Sequence, residues 1–187
     1  MNKLVLTSPL PPSVNSYLNY KVGSSGRRKF VQAYPSEETV VYKDFFTDYV
    51  KDEIQKQNWT RPEKGKLVVV NMVFYLDRKR KDPSNFLKVL FDVLTEAGVY
   101  VDDDIALPHA HRLYIDKDNP RIEIEIVESD AIGIFENEED LTSFYKNNCA
   151  SCKKKVESCG IFKKLLDNRL IEEVDGRTCL KKKEKDS

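Results

Sequence analysis

The chain has 187 residues, enough for one domain with a sizeable core and an appendage. Lys plus Arg and Asp plus Glu balance at 31 each, so bulk charge does not advertise a nucleic-acid partner, and local patches would have to meet one. No apolar run is long enough to span a membrane, and the first residues lack the apolar core of a signal peptide, so a cytoplasmic location is expected.

Lys3 to Thr7 alternates weakly and predicts a short strand, ended by Pro9, Pro11 and Pro12. Asn15, Tyr17 and Tyr20 follow. Next come the flexible Gly23-Ser24-Ser25-Gly26 and the cluster Arg27, Arg28, Lys29, which reads either as a solvated loop or as a mobile basic loop on DNA phosphates. Ser36 followed by Glu37 and Glu38 predicts a helix start, with the helix running to about Gln57. Its apolar face is expected to hold Val41, Tyr42, Phe45, Phe46, Tyr49, Val50 and Ile54. A polar connection with Pro62 and Gly65 leads to Leu67–Leu76, apolar at nearly every position and so expected to be a central strand covered on both faces.

The organising stretch runs from Asp82 to Asp104, DPSNFLKVLFDVLTEAGVYVDDD, behind the basic run Arg78, Lys79, Arg80, Lys81. Asp82 is the expected N-cap, Pro83 the first helical residue and Gly98 the stop. Asn85, Lys88 and Asp92 form one polar stripe on an otherwise apolar helix. A short segment, Val99–Val101, then delivers Asp102, Asp103 and Asp104. If it turns back beside the helix start, Asp82 meets this run, and carboxylates beside a lysine and a basic run suit a divalent metal acting on a phosphate. Each piece also has a plain structural reading: a cap, a solvated stripe, an exposed turn. His109 and His111 alternate on a strand to Ile115 and share a face, a placement read as structural, with a DNA-facing or metal-adjacent role as the alternative. After the turn Asp116–Pro120, the segment Arg121–Glu128 alternates cleanly, so these two strands are expected to form a hairpin with one solvated face. The element order predicts an α+β domain over residues 1–128, a mixed β-sheet covered by two main helices.

The central motif resembles the RusA family of Holliday-junction resolvases: a basic run, Asp-x-x-Asn, a lysine three residues on, Phe-Asp-x-Leu, Ala-Gly and a double Asp. Leu10-Pro11-Pro12-Ser13-Val14-Asn15-Ser16-Tyr17 is similar to that family's opening, and the resemblance covers about residues 3 to 128. It implies a phage or prophage member acting as a homodimer on four-way or branched DNA in recombination and repair. It implies Asp82 and Asp103 as catalytic, Mg²⁺-binding aspartates and Lys88 as the catalytic lysine. Asp102 and the Ser84 hydroxyl are expected as further metal ligands, with Asn85 and Asp92 in support. Asn15, Arg27, Arg28, Lys29 and Arg78–Lys81 are expected on DNA. The departure is Ser84, which stands where the family carries a second metal-binding aspartate. The alternative is therefore a branched-DNA-binding protein with weakened or lost nuclease activity.

Past Ser129 the texture changes. Residues 129–148 are acidic and read as a linker or the start of a short helix. Cys149, Cys152, Cys159 and Cys179 all lie beyond it, a Cys-x-x-Cys knuckle with two further thiols. This segment, 149–187, is expected to bind a structural Zn²⁺, an iron–sulfur cluster having the same ligand count. The helix at Ile161–Leu170 is expected to pack over the knuckle, and the terminal KKKEKDS to be disordered.

Overall fold

The computed structural model describes residues 2–26, 28–63 and 66–184, which form two compact units, one of residues up to 63 with 68–128, the other of residues 66–67 with 129–184. The first carries β1 (Lys3–Pro9), β2 (Leu18–Ser25), β3 (Arg28–Pro35), α1 (Glu37–Lys56), β4 (Val68–Leu76), α2 (Ser84–Glu96), β5 (Ala106–Ile115) and β6 (Arg121–Glu128). It is an α+β unit on a mixed four-stranded sheet ordered β1-β6-β4-β5. The β4–β5 pair is parallel, joined through α2, and the β1–β6 and β6–β4 pairs are antiparallel.

Alternation along each strand decides which face is buried. Leu4 and Leu6 of β1, Val68, Val70, Met72, Phe74 and Leu76 of β4, and Ile122, Ile124 and Ile126 of β6 point to one face. Tyr42, Phe46 and Val50 of α1 and Phe86, Val89, Leu90, Val93 and Leu94 of α2 complete that core. Helix ends follow their local signals. Ser36 accepts the Thr39 N–H at the start of α1. At the end of α2, Gly98 has φ +84°, its N–H donates to the Thr95 carbonyl, and the Val99 N–H donates to Leu94.

Several expectations are corrected. The two last strands of this unit do not form a hairpin with each other. β4 needs hydrogen-bond partners on both edges, and it takes β5 on one side and β6 on the other. The Asp116–Pro120 turn crosses the end of β4, where the Asp116 N–H donates to the Leu76 carbonyl at 2.8 Å. β4 is central but not fully covered: Val69, Asn71, Val73 and Tyr75 are only half-buried. The apolar stripe of α1 is narrower than its sequence, with Val41 at 63% and Phe45 at 61% exposure. The expected loop around Gly23–Gly26 is the tip of the antiparallel β2–β3 hairpin, which pairs Leu18 with Pro35 through to Ser25 with Arg28. Arg27 and Gly65 lie outside the described residues.

The second unit carries α3 (Glu138–Phe144), capped by Asn137, a wide turn at Tyr145–Cys149, α4 (Gly160–Leu166), β7 (Val174–Asp175) and β8 (Thr178–Cys179). Phe135, Phe144 and Leu165 are its buried core. Gly133, at φ +58°, tolerates no side chain, because a Cβ there would meet the Leu165 carbonyl oxygen at 2.2 Å. The tail is ordered further than expected. Through Glu184 it pairs with Cys152, and the Lys153 N–H donates to the Lys183 carbonyl at 2.7 Å.

Candidate active site

The site is built where β4 ends and α2 begins. Asp77 pairs with Lys81 at 2.8 Å, and the Lys81 ammonium lies 5.9 Å from the centre of the Phe86 ring. Lys81 is thus held by its own loop, while Arg78, Lys79 and Arg80 are exposed, Arg80 in the left-handed region at φ +65°. Asp82 follows. Its Oδ1 accepts the Ser84 N–H at 3.0 Å and the Ser84 hydroxyl at 2.8 Å, which together hold its carboxyl below the usual range. Pro83 is already helical at φ −58°, so the capping role expected of Asp82 is carried by these bonds.

The opening loop is tied to the helix start. The Val14 N–H donates to the Asn85 carbonyl at 2.8 Å. A cleft of about 550 Å³ lies between them, with Ser13 and Ser16 on one side and Arg78, Arg80, Asp82 and Asn85 on the other. Glu38 and Asp77 also line it, so its charge is mixed. Asn15 is exposed on the turn beside it. The Tyr17 carbonyl accepts the Ser36 N–H and the Thr39 hydroxyl, anchoring the base of the β2–β3 arm at the start of α1. Arg28 and Lys29 are exposed at the tip of that arm.

One turn along α2, Lys88 pairs with Asp92 at 2.6 Å. Asp92 also takes Lys43 of α1 at 3.4 Å, and Lys43 reaches Glu96 at 2.8 Å. Asp92, then Asp103 and Tyr17, hold Lys88 above the usual lysine range. Lys88 therefore sits in the field of Asp103, which lies with Asp104 on an exposed turn begun by Asp102 accepting the Asp103 N–H. Beneath the corner Tyr100 is buried, and burial keeps its phenol protonated.

Lys88, Asp92 and Asp103 are thus brought into one neighbourhood, while Asp82 is engaged with Ser84. Among the described residues no group of three or more His, Cys, Asp or Glu side chains is arranged to hold a metal ion. The donors present are oxygens, which suits a hard cation such as Mg²⁺, but they do not form a ready cage. His109 and His111 share a face, ring centres 6.3 Å apart, and His111 bonds Asn71 at 2.8 Å; they belong to the sheet. Sequence reasoning missed Lys43, whose partner lies 49 residues away, and the β2–β3 arm. No local signal marks such a pair.

The family model for endodeoxyribonuclease RusA matches residues 9–127 of this sequence. The chain belongs to the RusA endodeoxyribonuclease family. It is 31% identical over 103 residues to the crossover junction endodeoxyribonuclease RusA of Shigella sonnei, covering 55% of this chain and 76% of that protein. To the RusA of Escherichia coli O139:H28 it is 28% identical over 109 residues, covering 58% and 81%. To that of Enterobacteria phage 82 it is 30% identical over 103 residues, covering 55% and 76%. The RusA match takes in Asp82, Ser84, Lys88 and Asp103 and stops before every cysteine. Those cysteines share one cavity of about 410 Å³ in the second unit.

Proposed function

We propose that this RusA-family chain is a Mg²⁺-dependent, structure-selective endodeoxyribonuclease that cuts Holliday junctions or other branched DNA. The observation that carries the reading is the Asp82 carboxylate at a cleft bordered by arginines, with Lys88 further along the same helix, paired to Asp92 and in the field of Asp103 on the turn that follows. Asp82 and Asp103 would hold the ion, with Asp102 and Ser84 as further oxygen donors. When bound there, such an ion would supply Lewis-acid chemistry toward a phosphoryl oxygen and an attacking water. Lys88 stabilises charge developing on the phosphate or the leaving oxygen. Asp92 positions Lys88 and keeps it protonated, and Asn85 orients the opening loop. Arg78, Lys79, Arg80, Arg28 and Lys29 meet the phosphates of the arms.

A homodimer fits this substrate, because two related strands need two related sites. A second reading is favoured by one observation. Ser84 brings no charge and spends its hydroxyl on Asp82, so the chain would bind branched DNA without cutting it. The test is cleavage of a synthetic four-way junction with and without Mg²⁺, beside Asp82→Asn. Mg²⁺-dependent cleavage abolished in the variant, with binding retained, supports the nuclease. Binding without cleavage in the wild type supports the second reading.

A further inference from the structure

The second unit lies wholly outside the RusA match, and its chemistry is of a different kind. Cys149 with Cys152, Cys159 and Cys179 come from three separate pieces of local structure, yet all four line one cavity. Cys149 ends the wide turn after α3, and the Cys152 N–H donates back to its carbonyl at 3.0 Å, closing a tight knuckle. Cys159 caps α4, its N–H bound to the Val156 carbonyl at 3.1 Å. Cys179 is on β8.

The four sulfurs line this cavity without yet forming a metal-ligating group, and two independent features fix the backbone around them. Asn148 is only 5% exposed, and it donates to the Phe144 carbonyl at 2.9 Å and the Arg177 carbonyl at 3.0 Å. Its Oδ1 accepts the Cys179 N–H at 2.8 Å. A buried amide with its hydrogen bonds so used clamps the strand of Cys179 beside the turn of Cys149. The terminal segment does the same for Cys152 through its bridge to Glu184. The cavity is also rimmed by Lys153, Lys154, Lys181 and Lys183. A dication held by four thiolates carries two net negative charges, and a lysine rim offsets them.

We propose that these four cysteines bind one Zn²⁺ that staples residues 129–184. Thiolates are the ligands zinc takes in closed structural sites. The unit needs a staple, since its fully buried apolar core is Phe135, Phe144 and Leu165 alone among the described residues. The side chains draw in when the ion binds, because uncharged thiols gain nothing by approaching one another while an ion gains four bonds.

The test uses the full chain purified without chelator. Elemental analysis gives zinc and iron per chain, and a thiol-directed mercurial titration of the wild type reads zinc release. Cys152→Ser and Cys179→Ser are compared, and limited proteolysis is run with and without chelator. The expected result is one zinc per chain, released as the thiols are modified and lost in both variants. Chelation should open residues 129–184 to protease while residues 2–128 stay resistant. Zinc-free protein, zinc retained in both variants, iron with labile sulfide, or two disulfides in the denatured chain would each overturn the proposal. Should the variants fail to fold, the wild-type stoichiometry and release decide.

Discussion

Ser84 stands where the sequence resemblance leads one to expect an aspartate, and its bonds show what it holds here. It gives both its N–H and its hydroxyl to Asp82, holding that carboxylate ionised without adding a charge. Ser84→Asp should add a hard anionic ligand and lower the Mg²⁺ needed for half-maximal junction cleavage by about tenfold, the equivalent of ~1.4 kcal/mol. An unchanged or higher Mg²⁺ requirement would show that the site has rearranged around serine. Lys88→Ala should lower kcat by roughly 10²–10³, the usual cost of removing one charge-stabilising donor, with junction affinity little changed. Equal losses in binding and turnover would move Lys88 from the chemistry to the DNA contact. The Lys88–Asp92 pair was legible in the sequence because a helix fixes neighbours four apart. The Lys43 arm of the same network was not, since nothing in a local pattern places residue 43 against residue 92.

Elements show the same division between local and long-range information. Ser36 and Gly98 mark helix ends through chemistry within a few residues, and both do what their sequence suggests. Strand partners are chosen across the chain. Asp116–Pro120 is a sound turn, but the two strands it joins flank β4 rather than each other. The β2–β3 arm was hidden because Tyr20, Val22 and Val31 are exposed, so no buried face imposes alternation. Gly98→Ala tests the helix stop by itself. No atom lies within 4 Å of a Cβ built there, so the cost is that of a left-handed backbone, about 1–2 kcal/mol. The melting temperature should fall by about 2–8 °C; no fall would mean that the turn relaxes at no cost. Glu53 tests the end of α1. Lys56 first, and Gln57 next, hold its carboxyl below the usual range, and Gln57 in turn bonds both backbone groups of Val5 on β1. A depressed carboxyl contributes stability that is present above its unfolded pKa and lost as pH falls through its folded value. Glu53→Gln should therefore flatten the loss of melting temperature between neutral pH and about pH 3. A variant as acid-sensitive as the wild type would show that this pair contributes nothing.

For the molecule as a whole, zero net charge means that any grip on DNA is local, and the structure shows which cations are exposed and which are held. Arg28 and Lys29 stand exposed at the tip of the β2–β3 arm, and Arg78 and Lys79 are exposed beside the cleft. Lys81 belongs to the same basic run in sequence but is held by Asp77 and Phe86. Composition cannot make that distinction, because Arg78 to Lys81 look alike until the loop is folded. Counterion release makes it measurable. The slope of log affinity against log salt falls by about 0.9 for each duplex phosphate contact removed. The double variant Arg28→Ala and Lys29→Ala should reduce the slope for four-way-junction binding by about 2, and Arg78→Ala with Lys79→Ala by a similar amount. Lys81→Ala should leave the slope near the wild-type value while lowering thermal stability, since its charge is spent inside the loop. Junction affinity measured over a series of salt concentrations separates the three. A full unit of slope lost with Lys81, or none lost with the arm, would mean that DNA reshapes this corner when it binds.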